Sequence, residues 1–448
     1  MKARVMKYWE ALRAGYWFIP SLMTVFAIGL SFFTIAMDRY YGPQWLEQFG
    51  WIEPNKPDGA RELLSTVAGS MITVAGVTFS ITIASISLAS QQFGPRLLTN
   101  FMRDRGNQVV LGTFVATFLY CLLVLRTIFD GEDDFFVPQI SVSVALVLTL
   151  ANLGVLIYFI HHITESLQAA TVISNVGAQI HRRIERMFPT RIGHGQGCQA
   201  GPQITHDELK ARLDAQARQA FALQGGYVQT VDAEGLVRLA KSCDVVIELL
   251  RRPGDFVIVG DSLARIWPPQ RLDEALERRL NRLIALNWQR TPNQDILYLI
   301  NELVEMSARA LSTGINDPFT VISCVDRLAA AFVDLMQREW PSPARFDDKN
   351  TLRVIAYPVS FEDFAEAAFG QLRPYVSTDR NAALHLLTVL CHIASRTDST
   401  VQRDTLLLHA ERLAEACGEG LALEDSRREV RDAHLRLRRA VLHETSAS

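Results

Sequence analysis

The sequence predicts a mainly α-helical membrane protein in five parts. These are a four-helix transmembrane domain over 1–161, a long helical stalk over 162–188, a linker and helix over 189–225, a small β module over 226–270 and a helical domain over 271–448. Three observations lead there. Four apolar stretches before residue 162 each approach the roughly 20 residues that cross about 30 Å of hydrocarbon. Residues 138–188 contain one proline, Pro138, and pass from an uncharged half to an amphipathic half at His161. After residue 225 the apolar period changes from helical to strand-like for some 45 residues (~45, by pattern).

The first span, 17–37, follows Lys2, Arg4, Lys7 and Arg13, as a secretory signal would. Its length and the absence of a small-x-small cleavage site after it make it an anchor instead. Residues 38–62 form a Pro/Gly-punctuated loop. The second span, 63–89, carries seven hydroxyl side chains between residues 73 and 90: Thr73, Thr78, Ser80, Thr82, Ser85, Ser87 and Ser90. Gln91, Gln92, Phe93, Gly94 and Pro95 then break it, and Arg96, Arg103 and Arg105 load the next loop with positive charge. The third span, 108–128, leads to an acidic loop of Asp130, Glu132, Asp133 and Asp134, toward which Arg126 can snorkel. The fourth span, 139–161, starts behind Pro138, which suits a first helical turn.

Lys and Arg favour the cytoplasmic side of short loops. The N-terminus and the 91–107 loop hold them and the 129–137 loop holds none, so both termini are expected in the cytoplasm. Beyond the fourth span, Ile163, Leu167, Ala170, Ile173, Val176, Ile180, Ile184 and Met187 recur at three- and four-residue steps. A rod of about 75 Å at about 1.5 Å per residue would carry this seam out of the bilayer, where it needs a partner. A homo-oligomer is the expectation.

The linker 190–202 is rich in glycine, but its G-x-G-x-G follows a helix, whereas a dinucleotide fingerprint follows a strand. Thr205 and Glu208 read as a capping box opening a helix to 223. Strands are expected at 226–231, 244–250, 256–259 and 264–267, with a helix at 233–242 and a turn at Pro253, Gly254 and Asp255. PGDFVIVGDSLARIW resembles the hairpin half of biotinyl/lipoyl-type barrel-sandwich domains. No lysine sits at the hairpin tip where those domains carry their prosthetic group, and Lys241 falls in a helical pattern, so a barrel without a cofactor is expected. Helices are expected at 272–287, 294–311, 318–337, 360–372, 380–395, 401–417 and 424–443, with one returning strand at 352–357. The last helix, with Arg427, Arg428, Arg431, Arg436, Arg438 and Arg439, offers a basic face to solvent or to anionic headgroups.

Two stretches together, GSMITVAGVTFSITIASISLASQQFGPRLL and RTPNQDILYLINELVEMSARALSTGINDPFTVISCVDRL, resemble a family of bacterial inner-membrane proteins known only as a conserved domain of unknown function. The likeness runs from the first span to about residue 440 and is most specific from Arg309 to Pro318. It implies a membrane protein and nothing of chemistry.

Function therefore rests on residues. A net charge of −3 and a pI near 6.4 leave no basic footprint for nucleic acid. Six scattered cysteines without a C-x-x-C pair make neither a disulfide framework nor a zinc site. No G-x-S-x-G, H-E-x-x-H or P-loop occurs, so no enzyme, cofactor or metal is expected. His161 and Glu165 share a helix face, as a metal pair would, but histidine at a bilayer surface is ordinarily amphipathic; His385 and His392 carry no more weight. Glu305 can pair with Arg309 at i+4. Gly314 is expected to take positive φ at a helix end, with Asn316 beside it, Asp317 to cap the next helix and Pro318 in its first turn. Arg290, Asp295 and Arg309 are expected to form a polar structural or interface cluster. On the second span, Thr73, Ser80, Ser87 and Gln91 form one stripe, which either packs closely or lines a water path, with Phe93 as its constriction. The leading expectation is an ion channel or pore-like conductor. The alternative is a non-conducting sensor or scaffold that binds a protein partner.

Overall fold

A computed structural model describes residues 17–41, 56–95, 104–130, 135–188 and 216–446. The chain forms two compact units, 1–172 and 173–448. The expected helix start at Thr205, the glycine-rich linker and the acidic tip 131–134 lie outside the described residues.

Among the described residues the first unit holds four helices long and apolar enough to cross a membrane: α1 (Phe18–Tyr41), α2 (Pro57–Phe93), α3 (Arg105–Leu125) and α4 (Gln139–Ser166), with a two-residue ladder of β1 (Phe129–Asp130) and β2 (Phe135–Phe136) before α4. Helix α2 opens on Pro57, as a first turn tolerates, and closes at Gly94, whose φ of 108° few side chains allow and whose N–H donates to Ser90 O at 3.1 Å. At 37 residues it is about 55 Å long, well beyond the expected span 63–89 and beyond the hydrocarbon itself. Helix α3 is the most enclosed, and α1, α2 and α4 all pack on it. Leu64, Val110, Phe114, Tyr120, Val142 and Phe159 fill the bundle. Polar groups cross-link it. Tyr120 donates to Ser141 O at 3.1 Å and lies 3.0 Å from Thr34 Oγ1, and Asn152 Nδ2 donates to Thr117 Oγ1 at 2.7 Å.

Asp38, near the end of α1, reaches the start of α4. Its Oδ1 accepts from Ile140 N at 2.8 Å, and its Oδ2 accepts from Ser141 N at 3.0 Å and Ser141 Oγ at 2.7 Å. A helix begins with N–H groups that lack intrahelical acceptors. Here the acceptor comes from a residue a hundred positions away.

The single helix expected over 138–188 is two. Helix α4 ends at Ser166, and α5 (Ala169–Met187) starts after a turn at Leu167 and Gln168. In the second unit the seam of α5 is not bare: Ile173, Val176, Ile180 and Ile184 are all buried. The Arg327 side chain lies against Gly177, His181 Nδ1 is 2.7 Å from Asp334 Oδ2, and the Phe188 ring packs edge-on to Trp340 and Phe364. The chain's own later helices supply the partner that the seam requires.

The second unit continues with β3 (Arg218–Phe221), β4 (Gly226–Val231), α6 (Ala233–Cys243), β5 (Val246–Leu249), β6 (Phe256–Val257), β7 (Ser262–Trp267), α7 (Glu274–Leu283) and β8 (Ile284–Asn287). The expected barrel-sandwich is corrected here. The strands form two open sheets, β3-β7-β5-β10-β9 and β6-β4-β8, with β9 (Ala344–Phe346) and β10 (Leu352–Ala356) returning from beyond residue 340. The strands of the PGDFVIVGDSLARIW hairpin part company, since β6 pairs with β4 while β7 pairs with β5 and β3. The free edge of β5 is taken in parallel by β10, Val354 opposite Ile247, so the sheet cannot close on itself. Two helical readings also yield to pairing. Residues 218–221 join β7, and α7 stops at Leu283 because 284–287 pair with β4; strand pairing overrides local propensity. Leu236, Leu239, Ile247, Leu263, Ile266, Leu280 and Val354 make the core between these sheets and helices α6 and α7.

The helical remainder follows the sequence reading closely: α8 (Ile296–Ala310), α9 (Pro318–Met336), α10 (Phe361–Ala365), a π turn (Glu366–Gly370), α11 (Gln371–Val376), α12 (Arg380–Ser395), α13 (Thr400–Gly420) and α14 (Glu424–Ser446). Side-chain caps begin many of these helices, among them Asp295, Asp317, Ser360, Asp379 and Ser399. The basic face of α14 is partly neutralised, as Arg427 pairs with Glu424 and Arg438 with Glu411.

Candidate functional site

Helix α2 carries the hydroxyl stripe, and its two sides meet different surroundings. Thr78 and Thr82 are buried among neighbouring helices, whereas Thr73, Ser80, Ser87 and Gln91 are exposed on the outer face. A Cβ placed on Gly69 or Gly76 would meet nothing within 4 Å, so the same face is open and nearly flat. The hydroxyls are internally satisfied as donors: Thr73 donates to Gly69 O at 2.8 Å and Ser80 to Gly76 O at 2.9 Å. Phe93 sits elsewhere, 8% exposed and packed inside the unit, so it does not stand on the exposed stripe.

At the end of α4 the two histidines diverge. His161 lies 3.7 Å from Glu165 on the surface, while His162 Nε2 bonds Asp104 Oδ2 at 2.7 Å under the stacked ring of Tyr158. Asp104 also caps α3 by accepting from Gly106 N at 2.8 Å. Only glycine fits at 106, because a Cβ there would come within 2.6 Å of His162 Nε2. Sequence reading missed this pairing, although an aspartate just before an apolar run is a helix-start signal. His385 bonds Asp326 at 2.7 Å, and His392 is exposed apart from it. Among the described residues no group of three or more His, Cys, Asp or Glu is placed to hold a metal.

The polar cluster of the second unit divides in two. Arg290 grips Asp295 with Nε at 2.5 Å and Nη2 at 3.2 Å, and Asp295 Oδ1 caps α8 by accepting from Tyr298 N at 3.2 Å. Asp295 is 3% exposed, and burial pushes its carboxyl above the usual range against the pull of Arg290. The turn at Gly254 (φ 100°) lies directly on this pair, leaving no room for a Cβ, which would fall 2.5 Å from Asp295 Oδ2. Arg183 of α5 donates to Asn293 O in the same loop. The PGD and RTPNQD segments are thus one joint, which their separation in sequence concealed.

Arg309 belongs to the second part. It pairs with Glu305 at 3.4 Å, as the spacing implies, and ends α8. In the following loop the left-handed residue is Asn316, φ 48°; Gly314 is not in that region and has open space around it. Asparagine tolerates this conformation better than most residues. Asp317 accepts from Phe319 N at 3.1 Å and Thr320 N at 3.2 Å and from the Thr320 hydroxyl at 2.6 Å, which holds its carboxyl below the ordinary value. Pro318 fills the first turn of α9. Ile315 and Phe319 stand exposed beside the cap.

Residues 13–392 match the family model described as Predicted membrane protein (DUF2254). The chain belongs to that family. Uncharacterized proteins of Mycobacterium tuberculosis and Mycobacterium bovis are each 32% identical to it over 344 residues, 75% of this chain and 64% of theirs. The chain thus spans less than two thirds of the length of these relatives. No solved structure matches it. The family description and the four apolar helices agree on a membrane protein in contact with lipid.

Proposed function

We propose that this DUF2254 protein is a non-enzymatic, oligomeric inner-membrane protein in which α2 borders an ion-conducting path between copies, with both termini cytoplasmic. The observation that carries the reading is the outward face of α2, where Gly69, Thr73, Gly76, Ser80, Ser87 and Gln91 replace the bulky apolar residues suited to lipid. The path runs between chains because Leu64, Phe114, Tyr120 and Phe159 fill the bundle itself. Oxygen lone pairs on the face suit water or cations. Arg96 and Arg103 before α3, Arg105 at its start and the acidic 130–134 loop set the orientation.

The same face supports a second reading, a scaffold that binds a protein partner through its second unit. Back-bonded hydroxyls and two open glycines also suit helix against helix without a path. Single cysteines decide between them. In a cysteine-free background, Ser80→Cys, Ser87→Cys and Gln91→Cys react with a membrane-impermeant thiol reagent and Ile81→Cys does not, and wild-type liposomes pass ions. Protection of all three positions with no flux would leave packing alone.

A further inference from the structure

A cavity of about 360 Å³ lies in the second unit where the end of α9 meets the turn between α12 and α13. One wall is the end of α9, apolar at Val333 and Met336 with Gln337 at its edge; the other is the turn itself, with Arg396, Thr397, Asp398 and Gln402. The turn is built rigidly. Thr397, 5% exposed, accepts from Ser399 N at 3.2 Å and lies 2.7 Å from Gln402 Oε1, while Arg403 Nη2 donates to Thr397 O at 2.7 Å.

That geometry fixes Gln402. The Thr397 hydroxyl accepts from Ser399 N and donates to Gln402 Oε1. The amide is thereby held with Nε2 turned away from Thr397. Gln402 is 8% exposed and lines the cavity, and its Nε2 has no acceptor among the described residues. An amide donor open to the cavity can take a ligand oxygen as its acceptor.

The rim adds two charges. Arg396 and Asp398 both line the cavity, and among the described residues neither side chain has an ion-pair partner, not even the other. One unpaired cation, one unpaired anion, a fixed amide donor and an apolar wall define a complementary ligand. It carries a carboxylate and an ammonium close together with an apolar side chain, and the volume is of the size that holds a small molecule.

We infer that this cavity binds a free α-amino acid with an apolar side chain. Its carboxylate meets Arg396 and Gln402 Nε2, its ammonium meets Asp398, and its side chain lies on Val333 and Met336. The site is independent of the conduction reading and gives the second unit a small-molecule input. The test uses the full-length protein in detergent, titrated with L-leucine and L-methionine and followed by calorimetry and thermal unfolding. Either amino acid binds and raises Tm, whereas N-acetyl-leucine, lacking the ammonium, and leucinamide, lacking the carboxylate, bind about tenfold or more weakly. Arg396→Gln and Asp398→Asn, both on exposed side chains, keep the Tm of the unliganded protein and each weaken leucine about tenfold or more. Met336→Trp, which fills the cavity, abolishes the response. No response to either amino acid overturns the inference, as does binding that all three substitutions leave unchanged.

Discussion

At the scale of single residues, the joints of the second unit give sharp expectations. Arg290 and Asp295 are a buried pair with a cap attached. Arg290→Ala leaves a carboxylate without its counter-charge, and breaking such a pair costs about 3–5 kcal/mol; chemical denaturation of the purified protein measures it. Arg290→Lys keeps the charge but not the planar two-pronged grip, and recovers part of the loss. The loop before α9 tests a subtler point. Gly314→Ala is expected within about 0.5 kcal/mol of wild type, because the position is open and not left-handed, whereas Asn316→Val is expected to cost about 1–3 kcal/mol, because valine resists a φ of 48°. A larger loss at Gly314 than at Asn316 would reverse that assignment. The sequence pattern drew attention to the glycine. Asparagine is the rarer solution to the same backbone demand, and nothing local in GIND distinguishes the two.

At the scale of elements, the helices of both units were largely legible, since their caps and apolar periods are local signals. Asp317 with Pro318 and the returning strand near 352 read correctly from pattern alone. What escaped was non-local. Residues 218–221 and 284–287 continue helical patterns, and only their partners β7 and β4 make them strands. The turn at Leu167 and Gln168 holds neither glycine nor proline, so an unbroken helix was the natural reading. The outer stripe of α2 was legible as a stripe, but its exposure depends on packing against α3. A prediction at this scale concerns the ladder end at β10. The Arg353 guanidinium beside Asp347 draws its carboxyl down to about 2 from 3.8. A carboxyl depressed on folding stabilises above its unfolded value and loses that contribution as pH falls through the folded one. Arg353→Leu should therefore lower the Tm most above about pH 4, and the gap to wild type should close as the pH approaches about 2. A gap that stays constant or widens with acidification would exclude this coupling.

At the scale of the whole molecule, crossing of the bilayer by all four apolar helices would put the two ends of the first unit on one side of it. A reporter fused after Arg105 or at the C-terminus is expected on the cytoplasmic side, and one after Asp133 on the opposite side. Protease protection of the three fusions checks this, and a C-terminus found with residue 133 would remove one span. The oligomer is a separate question now that the seam of α5 is covered within its own chain. Its remaining physical motive is the open face of α2, so mass measurement in mild detergent should be paired with a bulky substitution there. Gly76→Leu is expected to lower the mass of the assembly while leaving the Tm of the single chain nearly unchanged.

Asp38 carries a further consequence, in time and not in space. The ribosome delivers α1 about a hundred residues before the Ile140 and Ser141 groups that receive its carboxylate. Until α4 emerges, that acid has to stay hydrated at the headgroup level, since an unpaired charge is expensive inside hydrocarbon. The Asp38 lock therefore stays open while α2 and α3 are made, and the arrival of the fourth helix closes it before the second unit is synthesised.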